Sequence, residues 1–129
     1  VKLRKDADYI IVDMHAEITS EKTAMGHLFD GKATMVVGTH THVPTSDHRI
    51  MEKGTAYQTD VGMCGDYNSV IGMNKDNSIN RFLKKSSLKH YPATGEASLC
   101  GSIVDCNDAT GLATSINQFI FGGELKNSQ

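Results

Sequence analysis

The sequence predicts an α/β fold: a βαβ unit followed by β-hairpins and a helix. Three observations predict it. Two short apolar runs, Tyr9-Ile10-Ile11-Val12 and Met35-Val36-Val37, flank a stretch with apolar residues at helical spacing. Runs of this kind suit parallel strands, which are covered on both faces. Two later segments, 49–59 and 99–120, alternate strand-favouring residues with glycine-containing turns.

The chain has 129 residues, and we read 1–129 as a single domain. Thirteen basic and fifteen acidic side chains leave a formal charge of −2, which excludes a whole-chain electrostatic case for nucleic-acid or anionic-membrane binding. The only early apolar run is too short for a signal peptide or a membrane span, so a cytoplasmic protein is expected. Cys64, Cys100 and Cys106 are odd in number and lack Cys-x-x-Cys spacing, which predicts free structural thiols. On one straight strand Cys100 and Cys106 would lie roughly 20 Å apart, too far to bond.

Residues 1–8 are polar and lead into a strand over 9–15 that ends in His15. Ser20 is placed to cap a helix, with Glu21 at the positive end of its dipole and Ala24, Met25, Leu28 and Phe29 as its apolar face. Asp30-Gly31 stops that helix, and the second strand covers 33–37. Gly38 then lets the backbone turn into His40-Thr41-His42. A right-handed crossover makes the two strands parallel and brings His15 to the edge that carries His40 and His42.

A polar loop, Pro44-Thr45-Ser46-Asp47-His48, precedes a hairpin over 49–59 turning at Lys53-Gly54. Residues 61–73, with Gly62, Gly65 and Gly72, read as an irregular close-packed loop. Asn74 can cap a helix running through Ile79, Phe82 and Leu83 to Lys85, with Lys84 and Lys85 at its negative end. Residues 91–97 form a loop. Strands over 99–106 and 112–120 form an antiparallel hairpin about the turn Asn107-Asp108-Ala109-Thr110-Gly111, and 122–129 is a frayed end.

Neutral imidazole binds zinc, iron and manganese well, and a catalytic ion needs about three protein ligands and an open position. His15, His40 and His42 are the candidate metal ligands. An isolated His-x-His at a strand end also serves as a hydrogen-bonding cap, so the third histidine carries the argument. Glu17, Glu21, Asp47 and Asp60 are the carboxylates that could orient a ligand histidine. His27 and His90 read as surface residues, and His48 is undecided. No serine has nucleophile-elbow spacing, and no phosphate-binding or dinucleotide glycine pattern occurs.

Several blocks carry a resemblance: Val12-Asp13-Met14-His15-Ala16-Glu17, Thr19-Ser20-Glu21-Lys22, Gly38-Thr39-His40-Thr41-His42-Val43, Gly54-Thr55-Ala56-Tyr57, Thr59-Asp60-Val61-Gly62-Met63 and Ser69-Val70-Ile71-Gly72-Met73. In order and spacing they resemble the YmdB-type branch of bacterial calcineurin-like metallophosphoesterases, distinctly to about Leu83. The resemblance implies an α/β/β/α sandwich holding two divalent or trivalent metal ions (Fe, Mn, Zn or Mg). It also implies hydrolysis of a phosphodiester substrate, a 2′,3′-cyclic nucleotide or 3′,5′-cyclic AMP.

On this resemblance His15 and His40 are ligands of one metal and His42 of the other. The family's Gly-Asp aspartate, bridging Glu and Asn-His pair have no counterpart here, since Gly65-Asp66 stands in another context and no Asn-His occurs. Cys64, Asp66 and Asn68 depart from the family's glycine loop. The expectation is therefore a C-terminal half of such a domain, without its N-terminal half and inactive alone, with the acid/base group upstream. Exposed edges would drive it into a homo-oligomer. The competing readings are a non-catalytic assembly module with vestigial histidines and a self-sufficient three-histidine zinc hydrolase.

Overall fold

A computed structural model describes residues 2–84 and 89–126. Ile10 is buried, and its backbone meets Thr34 and Met35 before β1 (Ile11–His15) begins. The helix α1 (Thr19–Phe29) leads to β2 (Met35–Thr39), which pairs with β1 in parallel, Ile11 opposite Met35 and His15 opposite Thr39. The βαβ unit is thus present, with β1 starting two residues later than expected but ending at His15 as expected, and β2 shifted two residues towards the histidines.

Two details of α1 differ from the sequence reading. The helix starts one residue before Ser20, after Ile18 and without a side-chain cap. Its inward face is Lys22, Met25, Gly26 and Phe29, while Ala24 and Leu28 face outward. Gly26 explains the rotation. A Cβ there would come within 2.6 Å of the Tyr57 ring, so the helix seats its smallest residue on the largest fully buried side chain.

The 49–59 segment is a hairpin of β3 (Arg49–Ile50) and β4 (Ala56–Gln58) turning through Gly54 at φ +94°. Asp30, just past α1, accepts N–H bonds from Lys53 and Thr55 and so ties that turn to the helix end. β4 also lies parallel to β2, which completes a four-stranded sheet in the order β1-β2-β4-β3.

Inside the irregular 61–73 loop, β5 (Gly65–Asp66) pairs with β6 (Ala97–Asn107), and β6 pairs with β7 (Leu112–Phe121). The turn between β6 and β7 is closed by the Asn107 carbonyl and carboxamide oxygens, with Gly111 at φ +64°. Between β5 and β6, Asn74 caps α2 (Lys75–Phe82) by accepting the Asn77 N–H. That helix ends at Phe82, with Leu83 as its cap; Lys85, its expected end, lies outside the described residues. Ile79, Phe82 and Leu83 are exposed rather than packed as an apolar face.

The tail is not frayed where it is described. Gly122 and Gly123 turn the chain back so that the Leu125 N–H reaches Ser98 Oγ; residues 127–129 lie outside the described residues.

Three layers result. One core, of Ile10, Ala33, Val36, Met51 and Tyr57 with Met25 and Phe29, lies between α1 and the four-stranded sheet. A second, of Met35, Val37, Ala56, Ala113 and Ile116, joins the two sheets face to face. Burying a large apolar side chain contributes about 1.5–3 kcal/mol, so these clusters fix the relative position of the layers. The three cysteines are free thiols.

Candidate metal centre

His15 closes β1, and His40 and His42 follow β2, so parallel pairing sets all three at one sheet edge. His40 and His42 have φ of +111° and +67°. Non-glycine residues in this region cost of order 1–3 kcal/mol each and persist only where the surroundings impose them.

The surroundings are the 59–71 segment. Gly38 O accepts the Val61 N–H at 3.1 Å, and Thr41 N–H donates to Asp60 Oδ2 at 3.0 Å. The Tyr67 hydroxyl donates to His42 O at 3.0 Å. Gly38 is required by packing. A Cβ would collide with the Thr59 carbonyl oxygen and come within 2.7 Å of Lys22 Cδ.

The histidine hydrogen bonds fix which ring nitrogens remain available. Thr39 Oγ1 donates to Asp13 at 2.7 Å, which leaves it to accept from His15 Nδ1 at 3.0 Å. His15 Nε2 therefore carries the free lone pair, and it faces His40 Nδ1 at 3.0 Å, the two rings meeting edge to face. His40 Nε2 points the other way, to Glu17 Oε2 at 3.0 Å. His42 Nδ1 donates to the Ile71 carbonyl at 2.7 Å, which leaves the lone pair on Nε2.

The predicted residues are thus only partly gathered. His15, His40 and Glu17 form one contact group. His42 is held separately against Ile71. Glu21 lies in the first turn of α1. Asp60 reaches the corner through the Thr41 backbone. Asp47 instead organises its own loop, accepting from Thr45, Thr59 and Arg49. Burial pushes the Asp47 carboxyl up, but those donors outweigh it and hold it below its ordinary value. For Asp60 burial is likewise outweighed, by Lys22 and the Gly62 and Thr41 N–H groups.

Among the described residues no three His, Cys, Asp or Glu side chains converge as a metal-binding group. The donor chemistry nonetheless fits a transition metal, since His15 and His42 each have Nδ1 tied and direct Nε2 away from that anchor. A metal ion at His15 Nε2 would have to displace the His40 Nδ1 proton that faces it at 3.0 Å.

Sequence reading missed Asp13, Thr39 and Lys22. The first two were accessible: Asp13 shares a strand face with His15, and Thr39 stands opposite His15 once the register is known. His48 is half-buried, with Nδ1 inside and no partner among the described residues. His27 is exposed. His90 is exposed and borders an open cavity of about 350 Å³ shared with Val70, Ile71, Met73, Arg81 and Phe82. No described helix is long and apolar enough to cross a membrane.

Comparison with known proteins bears on this edge. The sequence profile of the YmdB-like protein family matches residues 1–119. The chain is 45% identical over 120 residues to the 2′,3′-cyclic-nucleotide 2′-phosphodiesterase of Bacillus subtilis, covering 93% of this chain and 46% of that protein. A crystal structure of a novel phosphatase from Mycoplasma pneumoniae superposes with a TM-score of 0.85 at 43% identity, over 93% of this chain and 43% of that one. A hypothetical protein from Thermus thermophilus superposes at 0.84 and 39% identity, over 95% and 49%. The chain spans less than half the length of each of these relatives.

Proposed function

The chain belongs to the YmdB-like protein family, and from that premise we propose that it serves metal-dependent hydrolysis of a phosphodiester, a cyclic nucleotide being the substrate. His15 and His40 hold one of two metal ions and His42 the other, and upstream residues complete both sites. The observation that carries this reading is the anchoring of His15 and His42 through Nδ1, which presents Nε2 of each at one strained sheet edge.

Two bound ions would lower the pKa of an attacking water and neutralise charge developing on the leaving oxygen. The chain's own residues do the orienting. Asp13 and Thr39 fix the His15 ring, Ile71 fixes His42, and Glu17 holds His40. The open cavity beside Ile71 supports placing the nucleoside there, since Phe82 offers a ring for base stacking and Arg81 a cation.

An upstream half of the same domain is part of the proposal. Ile11 on the edge strand β1 is 68% exposed, and Leu99, Ile103 and Phe121 are exposed on one face of the β6/β7 hairpin, so both surfaces await a covering layer. Without it the chain self-associates; a monodisperse, cooperatively melting monomer would count against this.

The test of function is His40→Ala and His42→Ala in the full-length protein. Metal-dependent phosphodiesterase activity should disappear while the melting temperature holds, because alanine removes the ring and leaves the strands intact. Undiminished turnover in both variants would overturn the ligand assignment.

A further inference from the structure

Lys22 is fully buried, as is the Asp60 it pairs with at 2.9 Å. A buried ion pair is a poor stabiliser, since well-packed apolar residues of the same volume do as well or better. Its geometry points to another use. The Lys22 stem passes beneath Gly38, where a Cβ would come within 2.7 Å of Cδ, and its ammonium reaches Asp60 Oδ2. The same oxygen accepts the Thr41 N–H at 3.0 Å, and Oδ1 accepts the Gly62 N–H at 2.9 Å. One carboxylate therefore ties together α1, the turn after β2 and the loop after β4. Thr41 sits between the two histidines whose φ is positive.

We propose that Lys22 and Asp60 are positioning residues for the histidine corner: the buried pair anchors Thr41 and so holds His40 and His42, on either side of it, in their positive-φ backbone facing a metal ion. A neutral side chain at position 60 could not serve. Asn offers one oxygen and one NH2 group, so either the Gly62 N–H or the Thr41 N–H would meet a donor. Gly38, Lys22 and Asp60 are then one device, the glycine admitting the lysine that charges the acceptor. This inference rests on the metal reading above.

The experiment titrates the full-length protein with Mn(II) alone by calorimetry. Asp60→Asn and Lys22→Met should bind Mn(II) at least about 10-fold more weakly, the range typical for loss of groups that orient ligands. The double variant Lys22→Met/Asp60→Leu removes both charges together, so no buried charge is left unpaired; with a native-like circular-dichroism spectrum it should show the same weakening. Ile116→Ala, a change in the core between the two sheets, should lower the melting temperature and leave Mn(II) affinity within about twofold. The His42 Nδ1 proton resonance, set by its bond to Ile71, should be lost in the Lys22 and Asp60 variants alone. Mn(II) affinity falling no further in the pair variants than in Ile116→Ala overturns the proposal. Unchanged affinity in His40→Ala and His42→Ala instead removes the metal reading, and is told apart by which variants are silent.

Discussion

Gly38→Ala is the sharpest structural prediction, because it sets the sheet against its own backbone. A methyl at residue 38 would collide with the Thr59 carbonyl oxygen and come within 2.8 Å of its carbon and 2.7 Å of Lys22 Cδ. Ordinary contact begins at 3.4 Å, and the carbonyl oxygen lies nearer still than its carbon, so β2 and the 59–61 segment have to part by more than about 1 Å. The parting strains the bond from Val61 N–H to Gly38 O and tilts the lysine away from Asp60. Overpacking at about 1–3 kcal/mol, with about 1 kcal/mol for the hydrogen bond, gives a loss near 3 kcal/mol. For a domain of this size that lowers the midpoint by roughly 10 °C.

Gly101→Ala is the internal control. It lies on β6 with nothing among the described residues within 4 Å of the added carbon, so it should be neutral or stabilise by about 0.5 kcal/mol. Circular-dichroism melts and urea titrations of both variants are the assay. A Gly38→Ala protein melting within about 2 °C of the parent would refute the close-approach argument.

Three further outcomes are expected. Thr39→Val keeps the strand shape but cuts the link from Asp13 to His15; metal titration should show about 10-fold weaker binding with an unchanged melt. Phe82→Ala should raise KM for a cyclic nucleotide several-fold with little change in kcat, if steady-state kinetics report a base stacked in the cavity beside Ile71. Acid should destabilise the protein in a defined direction. Asp47 and Asp60 are both held below their ordinary values, so the stability they contribute is complete above the unfolded carboxylate pKa, about 4, and is lost as pH falls through the lower folded values. Melting temperatures should be flat from about pH 7 to 5 and fall below about 4, and Asp47→Asn should flatten that fall.

Much of the fold was legible from residue order. The apolar runs at β1 and β2, the Asn74 cap, the Lys53-Gly54 turn and the 107–111 turn are local signals, and each appears where backbone chemistry requires it. The rotation of α1 was not legible, because Ala24 and Leu28 look as apolar as the residues that face inward. Only the Tyr57 ring, brought in from β4, selects Gly26 for the interface. The exposed side of α2 shows the same limit, since an apolar spacing says that a face can be buried and not what covers it.

The histidine edge divides along the same line. Sequence by itself determined that His15, His40 and His42 end neighbouring strands, because apolar runs, one helix and the right-handed crossover leave little other choice. Tertiary structure alone decided what each ring touches. His15 meets Thr39 through strand register, His42 meets a carbonyl 29 residues away, and Lys22 reaches Asp60 across 38 residues. Those contacts are long-range, and no local period encodes them. They arise where the packed layers leave a buried charge and a crowded strand end to be satisfied together.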